Sequence, residues 1–310
     1  MFSPFPPRPL YTLSLPGDRQ LHLGERTLVM GILNVTPDSF ADAAPLVGDR
    51  GVGGVDVARA VARALQMEAE GADLIDVGGE STRPGAEPVS AAEEQARVVP
   101  VIEALASRLR VPISVDTTKA AVARQAVAAG AAIVNDISGL TYDPALAAVV
   151  ADSGAALVLM HTRGRPTTMY AEAVYLDIVA DVAGELVAAA ARATDAGVSA
   201  RQIVMDPGIG FAKHAAHSYG VLARLPELQA ALDYPLLVGP SRKSFLRQAV
   251  GEKPPAERDW ATSAAVTAAV LGGAHLVRVH AVAEMVQVVR VADAIRDAGA
   301  GVVAIPGTDA

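Results

Sequence analysis

The sequence contains no cysteine, a single tryptophan and only 4% aromatic residues among its 310 positions. Without cysteine, a disulfide framework, a thiolate zinc site and a cysteine nucleophile are all excluded. With so few aromatic rings, the interior has to be built from aliphatic side chains, and the hydrophobic fraction of 51% supplies them. Such a composition is typical of buried parallel strands that are covered by alanine-rich helices.

Long hydrophobic runs and a basic charge balance are also lacking. No run approaches the roughly 20 apolar residues that a membrane-spanning helix needs. The proline-rich N-terminus, MFSPFPPRPLY, has no hydrophobic segment of the kind found in secretory signals. The formal net charge of −8 argues against a nucleic-acid partner, because phosphate backbones require a basic surface. We therefore expect a cytoplasmic enzyme that contacts neither nucleic acid nor membrane.

A short aliphatic run, a polar loop and an alanine-rich helical stretch alternate along the chain from Thr27 onward. The sequence contains eight such aliphatic runs, at 27–35, 72–79, 111–117, 132–138, 156–161, 203–208, 235–241 and 276–280. Alternating strands and helices with short links predict parallel strands joined by right-handed crossovers. Eight units favour an α/β fold of the (β/α)8, or TIM, barrel type. A doubly wound open sheet is the alternative.

The residues before the first of these runs have a different pattern. Residues 1–10 predict an irregular arm, and Tyr11 to Gly24 predicts a β-hairpin, with YTLSL and RQLHLG on either side of a Pro-Gly-Asp turn. We therefore divide the chain into an N-terminal arm and hairpin (1–26), a single barrel (27–298) and a mobile, glycine- and alanine-rich tail (299–310).

Polar residues stand at or just after the end of every aliphatic run. They are Asn34, Asp76, Asp116, Asn135, His161, Asp206, Ser241 with Lys243, and Arg278 with His280. In a barrel, the carboxyl ends of the strands converge on one rim, where the active sites of this fold lie. Loop capping would explain one such residue, but it explains all eight ends poorly. We therefore expect the active site at this rim.

One group of rim residues suits a flat heterocycle. Asp116, Asn135 and Asp206 offer hydrogen-bond acceptors and one amide donor, and buried carboxylates need such partners. Lys243 adds a cation that can reach a ring carbonyl. This combination matches the donor and acceptor edge of a guanine-like ring, pterins included. Taken singly, each residue could equally be a helix cap or part of an ion pair inside the barrel.

A second group of residues suits an anion. Arg83 lies in a Ser-Thr-Arg-Pro-Gly loop, and Arg278 and His280 alternate along the last strand, so that both point the same way. The segment 241–244, Ser-Arg-Lys-Ser, leads into a predicted helix whose free N–H groups favour negative charge. Arginine and histidine at such a rim are suited to a diphosphate. A solvated surface charge remains an alternative for Arg83 alone.

The motifs at these strand ends, taken together, resemble those of the dihydropteroate synthase family over nearly the whole chain. The matching segments are GILNVTPDSF (31–40), DVGGESTRPGA (76–86), SVDT (114–117), VNDISG (134–139), MHTRGRPTTM (160–169), DPGIGFAK (206–213), SRKSFL (241–246) and RVH (278–280). The resemblance implies a reaction that joins 6-hydroxymethyl-7,8-dihydropterin diphosphate to p-aminobenzoate and releases pyrophosphate. It also implies Mg²⁺ as cofactor, a homodimer and sensitivity to sulfonamides.

The resemblance further implies a role for each matching side chain. The pterin would be bound by Asp116, Asn135, Asp206 and Lys243. The diphosphate would be bound by Asn34, Thr82, Arg83, Arg278 and His280, with Asn34 also a ligand of the metal. The p-aminobenzoate would be bound by Phe40, Pro84, Phe211 and Ser244. The residues expected to act in catalysis are Asp116, Lys243, Arg278 and His280.

The sequence departs from the family pattern at a few positions. After Phe40, the family commonly continues Ser-Asp-Gly-Gly, whereas here residues 41–44 are Ala-Asp-Ala-Ala and the loop is several residues longer. Ala281 follows His280 where the family often has aspartate, and Ser218 stands where asparagine is frequent. These changes put loop closure and the p-aminobenzoate contacts in question, but they remove no primary ligand.

Three other functions are compatible with parts of the pattern. Pterin-dependent methyltransferase barrels share the Asp, Asn and Asp pocket, but they do not need the Arg-Lys-Ser segment or the Arg278 and His280 pair. A catalytically impaired paralogue would account for the unusual first loop. A zinc hydrolase would need a His-x-His pair after the first barrel strand, where this sequence has Gly-Ile-Leu-Asn at 31–34.

Overall fold

A computed structural model of the chain describes residues 5–36, 54–81 and 88–299. The strands in this part are β1 (Tyr11–Leu15), β2 (Arg19–Leu23), β3 (Leu28–Asn34), β4 (Leu74–Gly78), β5 (Ile113–Asp116), β6 (Ile133–Asp136), β7 (Ala156–Met160), β8 (Ile203–Asp206), β9 (Leu237–Val238) and β10 (Leu276–Val279). The helices are α1 (Val57–Ala69), α2 (Ala91–Ala106), α3 (Ala120–Ala128), α4 (Ala145–Ser153), α5 (Ile178–Asp195), α6 (Ala215–Ala223), α7 (Leu225–Ala231), α8 (Arg247–Val250), α9 (Asp259–Leu271) and α10 (Val282–Gly299).

Eight parallel strands form one nearly closed barrel. Their order is β8-β7-β6-β5-β4-β3-β10-β9, and one further parallel bridge, Met205 to Leu236, joins the two ends of the sheet. A doubly wound sheet has two free edges, so this closure excludes it. The structure thus confirms the (β/α)8 barrel with a separate antiparallel hairpin, β1 and β2, at its N-terminal side.

The seventh barrel strand is much shorter than its predicted span of 235–241. Only Leu237 and Val238 form strand β9. The reason lies in Pro235 and Pro240, which flank those two residues and have no N–H to donate to a neighbouring strand. Proline therefore limits the hydrogen-bonded part of this strand, although the chain still passes through the barrel wall at the predicted position.

Alternate residues of the strands face the two sides of the barrel wall. In β4, Ile75 and Val77 belong to the large outer core beneath the helices, whereas Leu74 belongs to the inner core. Asp76 has the same parity as Leu74, so period two places it inside the barrel, above the aliphatic layer. The polar groups therefore accumulate at the carboxyl ends of the strands, with a layer of buried aliphatic side chains below them.

The N-terminal hairpin closes the opposite end of the barrel. Leu13, Leu15 and Leu23 join the inner core together with Met30 and Leu74. Within the described residues this end is filled by leucine side chains, so the polar rim at the carboxyl ends is the side from which a ligand can reach the interior. No helix in the described part of the chain is long and apolar enough to span a membrane. Residues 300–310, most of the tail predicted to be mobile, lie outside the described residues.

Candidate active site

Parallel register brings the first polar side chains of the rim to one level. Gly78 pairs with Asn34 on one side and with Asp116 on the other, and Asp116 in turn pairs with Asn135. A Cβ atom at position 78 would lie 3.6 Å from both Asn34 Oδ1 and Asp116 Oδ2. Glycine at this position therefore keeps the space between the two side chains open at the mouth of the barrel.

Arg278 links three strands across the interior. Its Nε atom donates to Asp76 Oδ2 at 2.6 Å, and one of its terminal nitrogens donates to Asp116 Oδ2 at 2.7 Å. Asn135 Nδ2 donates to the same Asp76 oxygen at 2.9 Å. Asp76 is fully buried, and its second oxygen, Oδ1, has no hydrogen-bond partner among the described residues. One arginine thus stands between two carboxylates, with a free acceptor beside it.

Lys243 approaches Arg278 from the segment after β9. Its ammonium donates to the carbonyl oxygen of Ile209 at 2.6 Å and lies 4.3 Å from the centroid of the Phe211 ring. A Cβ atom at Gly239 would lie 3.9 Å from Lys243 Nζ and 3.6 Å from Arg278 Cβ, so the two cations flank this glycine. Burial lowers the pKa of Lys243 to about 8, although Asp206 opposes the shift.

Asp206 ends β8 and is 4% exposed. Its Oδ1 atom accepts a hydrogen bond from the backbone N–H of Gly208 at 2.7 Å. Burial raises the pKa of Asp206, and the charge of Lys243 opposes that shift. Gly208 itself has a φ of +67°, and a Cβ atom there would lie 2.0 Å from the carbonyl oxygen of His161. Only glycine fits at this position, so the backbone after β8 is fixed against β7.

The charges of the site act on one another. Burial raises the pKa of Asp116, Arg278 opposes this shift, and the neighbouring carboxylates, of which Asp76 is the strongest, reinforce it. Burial lowers the pKa of Arg278, but Asp76 and Asp116 together outweigh that effect, so the pKa is raised and the guanidinium stays charged. The site therefore contains a permanent cation next to a carboxylate that is unusually easy to protonate.

The segment 241–244 differs in one respect from its sequence interpretation. It leads into a short 3₁₀ turn, Ser244–Leu246, followed by the four residues of α8, and so provides little helix dipole. Arg242 is not directed into the site, because its guanidinium is held by both carboxylate oxygens of Asp259 at 2.7 Å. Ser241 instead contributes directly: its hydroxyl lies 2.9 Å from His280 Nδ1.

Four of the predicted ligands, Phe40, Thr82, Arg83 and Pro84, lie outside the described residues, as does the unusual segment 41–44. Phe211 and Ser244, the remaining residues expected near p-aminobenzoate, are both partly exposed. Phe211 lies beneath the ammonium of Lys243, and Ser244 lies 3.4 Å from the hydroxyl of Tyr170, measured between oxygens.

A cavity of about 300 Å³ continues the site beyond Asp116. Its wall includes an ion cluster that the sequence analysis did not single out, in which the ammonium of Lys119 contacts the carboxylates of Glu80 and Glu94. Glu94 is fully buried, and burial raises its pKa against the opposing effect of Lys119. The available signal was the position of Glu80 and Lys119, each a few residues beyond the end of a strand.

Comparisons with known proteins agree with this geometry. A family model described as pterin binding enzyme matches residues 30–280. Dihydropteroate synthase of Synechocystis sp. is 48% identical over 272 residues, covering 88% of this chain and 91% of that protein. The enzyme of the same name from Bacillus subtilis is 44% identical over 275 residues, covering 89% and 90%.

Solved structures give the same result. Dihydropteroate synthase of Burkholderia cenocepacia, complexed with 7,8-dihydropteroate, superposes with a TM-score of 0.81 at 45% identity and covers 94% of this chain and 99% of that chain. The Yersinia pestis enzyme, in a sulfonamide drug complex, has a TM-score of 0.83 at 42% identity and covers 92% and 99%. The chain therefore belongs to the dihydropteroate synthase family of pterin-binding enzymes, and it is a transferase of folate biosynthesis that joins 6-hydroxymethyl-7,8-dihydropterin diphosphate to p-aminobenzoate.

Proposed function

We propose that Asp116, Asn135, Asp206 and Lys243 bind the pterin ring of the diphosphate substrate. The observation that carries this proposal is that Asp116 and Asn135 are both hydrogen-bonded to the Asp76–Arg278 pair, while the charge of Lys243 interacts with Asp206 and Asp116. A pterin has an amino group and ring N–H groups on one edge, which suit carboxylate and amide acceptors. Its carbonyl oxygen suits the ammonium of Lys243.

Arg278 and His280 bind the diphosphate in this proposal, together with Asn34, Thr82 and Arg83. Arg278 keeps its charge at every physiological pH, since its carboxylate partners raise its pKa. A guanidinium can bind two phosphate oxygens through parallel hydrogen bonds. The Ser241 hydroxyl beside His280 Nδ1 orients the imidazole toward its position at the rim.

Catalysis then consists of stabilising charge as it separates. When the bond between the pterin methylene carbon and the diphosphate oxygen breaks, positive charge develops on the pterin and negative charge on the leaving group. The carboxylate of Asp116 stabilises the former, and Arg278 and His280 stabilise the latter, while Lys243 holds the ring in place. The amine of p-aminobenzoate adds to the carbon and loses one proton to the released pyrophosphate or to solvent, so no side chain has to act as a nucleophile.

The oxygen atoms at the rim could supply part of the ligand set of a magnesium ion. Mg²⁺ prefers oxygen ligands and commonly takes most of them from phosphates and water. Asn34 supplies an amide oxygen at the mouth, and Asp76 Oδ1 is a buried acceptor without a partner. Within the described ranges, no group of three or more His, Cys, Asp or Glu residues could hold a metal ion. A magnesium ion would therefore arrive with the diphosphate, whose charge it would neutralise.

The amine substrate is assigned to the outer part of the mouth. In this proposal it is lined by Phe211, beneath the ammonium of Lys243, and by Ser244, beside Tyr170, and Phe40 and Pro84 complete it. Because sulfonamides imitate p-aminobenzoate, we propose that they compete for this position. The Yersinia pestis relative, crystallised with a sulfonamide, supports this extension.

Assembly and location complete the proposal. A homodimer would cover apolar side chains on α9 and α10, where Trp260 is 90% and Val291 60% exposed. The arm and hairpin (1–26) and the barrel (27–298) would form one folding unit, since they share the inner core. A cytoplasmic location stays a prediction that cell fractionation tests, and light scattering at micromolar concentration tests the dimer.

The direct test of the residue roles is release of pyrophosphate from both substrates and Mg²⁺, compared with the Lys243→Ala and Arg278→Ala variants. We expect turnover by the wild-type protein and loss of at least roughly 100-fold in each variant, because each removes a charged contact to the reacting substrate. Wild-type turnover with two fully active variants would contradict the assigned roles, and no turnover despite tight pterin binding would point to an impaired paralogue.

A further inference from the structure

Lys213 is a buried lysine that none of the roles above uses. It is 1% exposed and the bulkiest of the fully buried side chains in the described part of the chain. It ends the segment 206–213, Asp-Pro-Gly-Ile-Gly-Phe-Ala-Lys, which follows β8 and lines the site. A charged ammonium in such a place is costly unless it is hydrogen-bonded. The groups that Lys213 contacts therefore indicate its role.

Two acceptors surround the ammonium of Lys213. Its Nζ atom lies 2.7 Å from His161 Nδ1 and donates to the carbonyl oxygen of Phe211 at 3.2 Å. On the other side of the imidazole, His161 Nε2 lies 3.1 Å from Glu185 Oε2. Burial lowers the pKa of Lys213 to about 7. In its protonated form the nitrogen can only donate, so Nδ1 then accepts and the ring proton of His161 is on Nε2, on the side of Glu185. The three side chains are therefore contiguous, with His161 between the carboxylate of Glu185 and the nitrogen of Lys213.

The backbone that these side chains hold has an unusual shape. Gly208, Gly210 and Ala212 all have positive φ angles, of 67°, 80° and 46°. For the alanine this conformation is unfavourable, so surrounding contacts have to maintain it. Tyr175 donates to the carbonyl oxygen of Ala212 at 2.8 Å, and Lys213 holds the adjacent carbonyl of Phe211. These bonds fix the segment from outside the substrate cavity.

The same segment shapes the proposed pterin pocket from inside. It begins with Asp206, its Ile209 carbonyl accepts from Lys243, and its Phe211 ring lies beneath that lysine. Lys213 also contributes charge, because it opposes the rise in the pKa of Asp206 that burial causes. One buried lysine thus supports both the geometry and the ionisation of the groups on the pocket wall.

We propose that Lys213 is a positioning residue for the pterin substrate, held by Glu185 and His161, which keeps the 206–213 segment in its binding shape. This inference rests on the proposed roles of Asp206 and Lys243. The segment bears more on the pterin, through Asp206 and the Ile209 carbonyl that holds Lys243, than on the amine substrate, which it meets through the Phe211 ring. The KM values of the two substrates should therefore change by different amounts when the contacts among Glu185, His161 and Lys213 are removed.

The test uses steady-state kinetics of the full chain with each substrate varied in turn. Lys213→Met keeps the length of the side chain and removes its charge, and we expect the KM for pterin diphosphate to rise roughly 10-fold, equivalent to about 1.4 kcal/mol. The KM for p-aminobenzoate should change less than roughly 2-fold. Glu185→Ala removes the contact with His161 at a side chain that is 42% exposed, so it leaves the core closed. It should also raise the KM for pterin diphosphate.

Asp195→Asn, an exposed carboxylate on the same helix as Glu185, is the matched control and should leave both constants unchanged. Nitrogen NMR of the histidine rings supplies a second readout, with His161 expected in the Nε2–H form in the wild type and no longer fixed in Lys213→Met. Unchanged KM for the pterin in both variants, equal changes for both substrates, or an Nδ1–H tautomer in the wild type would each overturn the proposal.

Asp206→Asn separates this inference from the one on which it depends. Weaker pterin binding in Asp206→Asn, together with normal binding in Lys213→Met and Glu185→Ala, would refute only the role of Lys213. Normal pterin binding in Asp206→Asn would refute the proposed pocket itself.

Discussion

Removing the guanidinium of Arg278 should destabilise the protein in a way that depends on pH. Arg278→Met keeps most of the side-chain volume but leaves Asp76 and Asp116 without their shared cation. Each of the two hydrogen bonds, at 2.6 and 2.7 Å, is charge-assisted and contributes about 1.5–3 kcal/mol. Breaking one partner of a buried ion pair typically costs about 3–5 kcal/mol. We therefore expect a loss of about 3–5 kcal/mol in the free energy of unfolding at pH 8.

The sign of the pH dependence follows from Asp116. Burial already raises its pKa, and Arg278 is the main group that opposes this shift, so the variant raises it further. Once pH falls below that pKa, the carboxyl is neutral and no longer needs the arginine. The difference between variant and wild type should therefore shrink by about 1.4 kcal/mol for each pH unit in which one carboxylate takes up its proton.

Urea denaturation at pH 8 and pH 5.5, followed by circular dichroism, measures both quantities. Arg247→Met is the control, since Arg247 pairs with Glu252 on the surface and should cost less than about 1 kcal/mol at either pH. The double variant Asp116→Asn with Arg278→Met should be more stable than the sum of the single changes. A loss below about 1 kcal/mol at pH 8, or a loss that grows on acidification, would refute the reasoning.

Three further results are expected. Lys243→Met should lower kcat/KM for pterin diphosphate by roughly 100-fold in the pyrophosphate assay without lowering the melting temperature, because burial of its ammonium already disfavours the charge. The wild-type kcat/KM should fall above a pH of about 8, where Lys243 loses its proton, and Lys243→Arg should remove this fall. On the acid side, kcat/KM should begin to fall at a pH higher than the usual pKa of an aspartate, because burial raises the pKa of Asp116. Gly208→Ala should cost more than about 3 kcal/mol by denaturation, since its Cβ would lie 2.0 Å from the His161 carbonyl oxygen, whereas Gly17→Ala, in open space at a similar φ, should cost about 1 kcal/mol.

The strand ends were predictable because their information is local. A buried run followed by aspartate or asparagine identifies Asp116, Asn135 and Asp206, and period two along β10 puts Arg278 and His280 on one side. Once eight such ends are recognised, the barrel fold requires them to meet. The sequence was therefore sufficient for the fold class and for the level at which the site lies.

Partnerships across the barrel were not predictable in the same way. The bond from Arg278 to Asp76 joins residues 202 positions apart, and it depends on strand register and tilt rather than on any local pattern. Lys213 gave no signal of burial, because a lysine in a loop, here after Phe211 and Ala212, is normally solvated. The brevity of β9 depended on which carbonyl oxygens of the neighbouring strands face Pro235 and Pro240, which have no N–H to donate, and only the assembled sheet reveals this.

The seam between β8 and β9 gives the substrate a mechanical role. In the described structure these strands are joined by a single bridge, at Met205 and Leu236, next to a strand of only two residues. Asp206 and Lys243 extend from opposite sides of that seam. A ring held by both would span the least hydrogen-bonded part of the barrel wall. Ligand binding should therefore slow amide exchange there first, because the bound pterin would link β8 to the segment after β9.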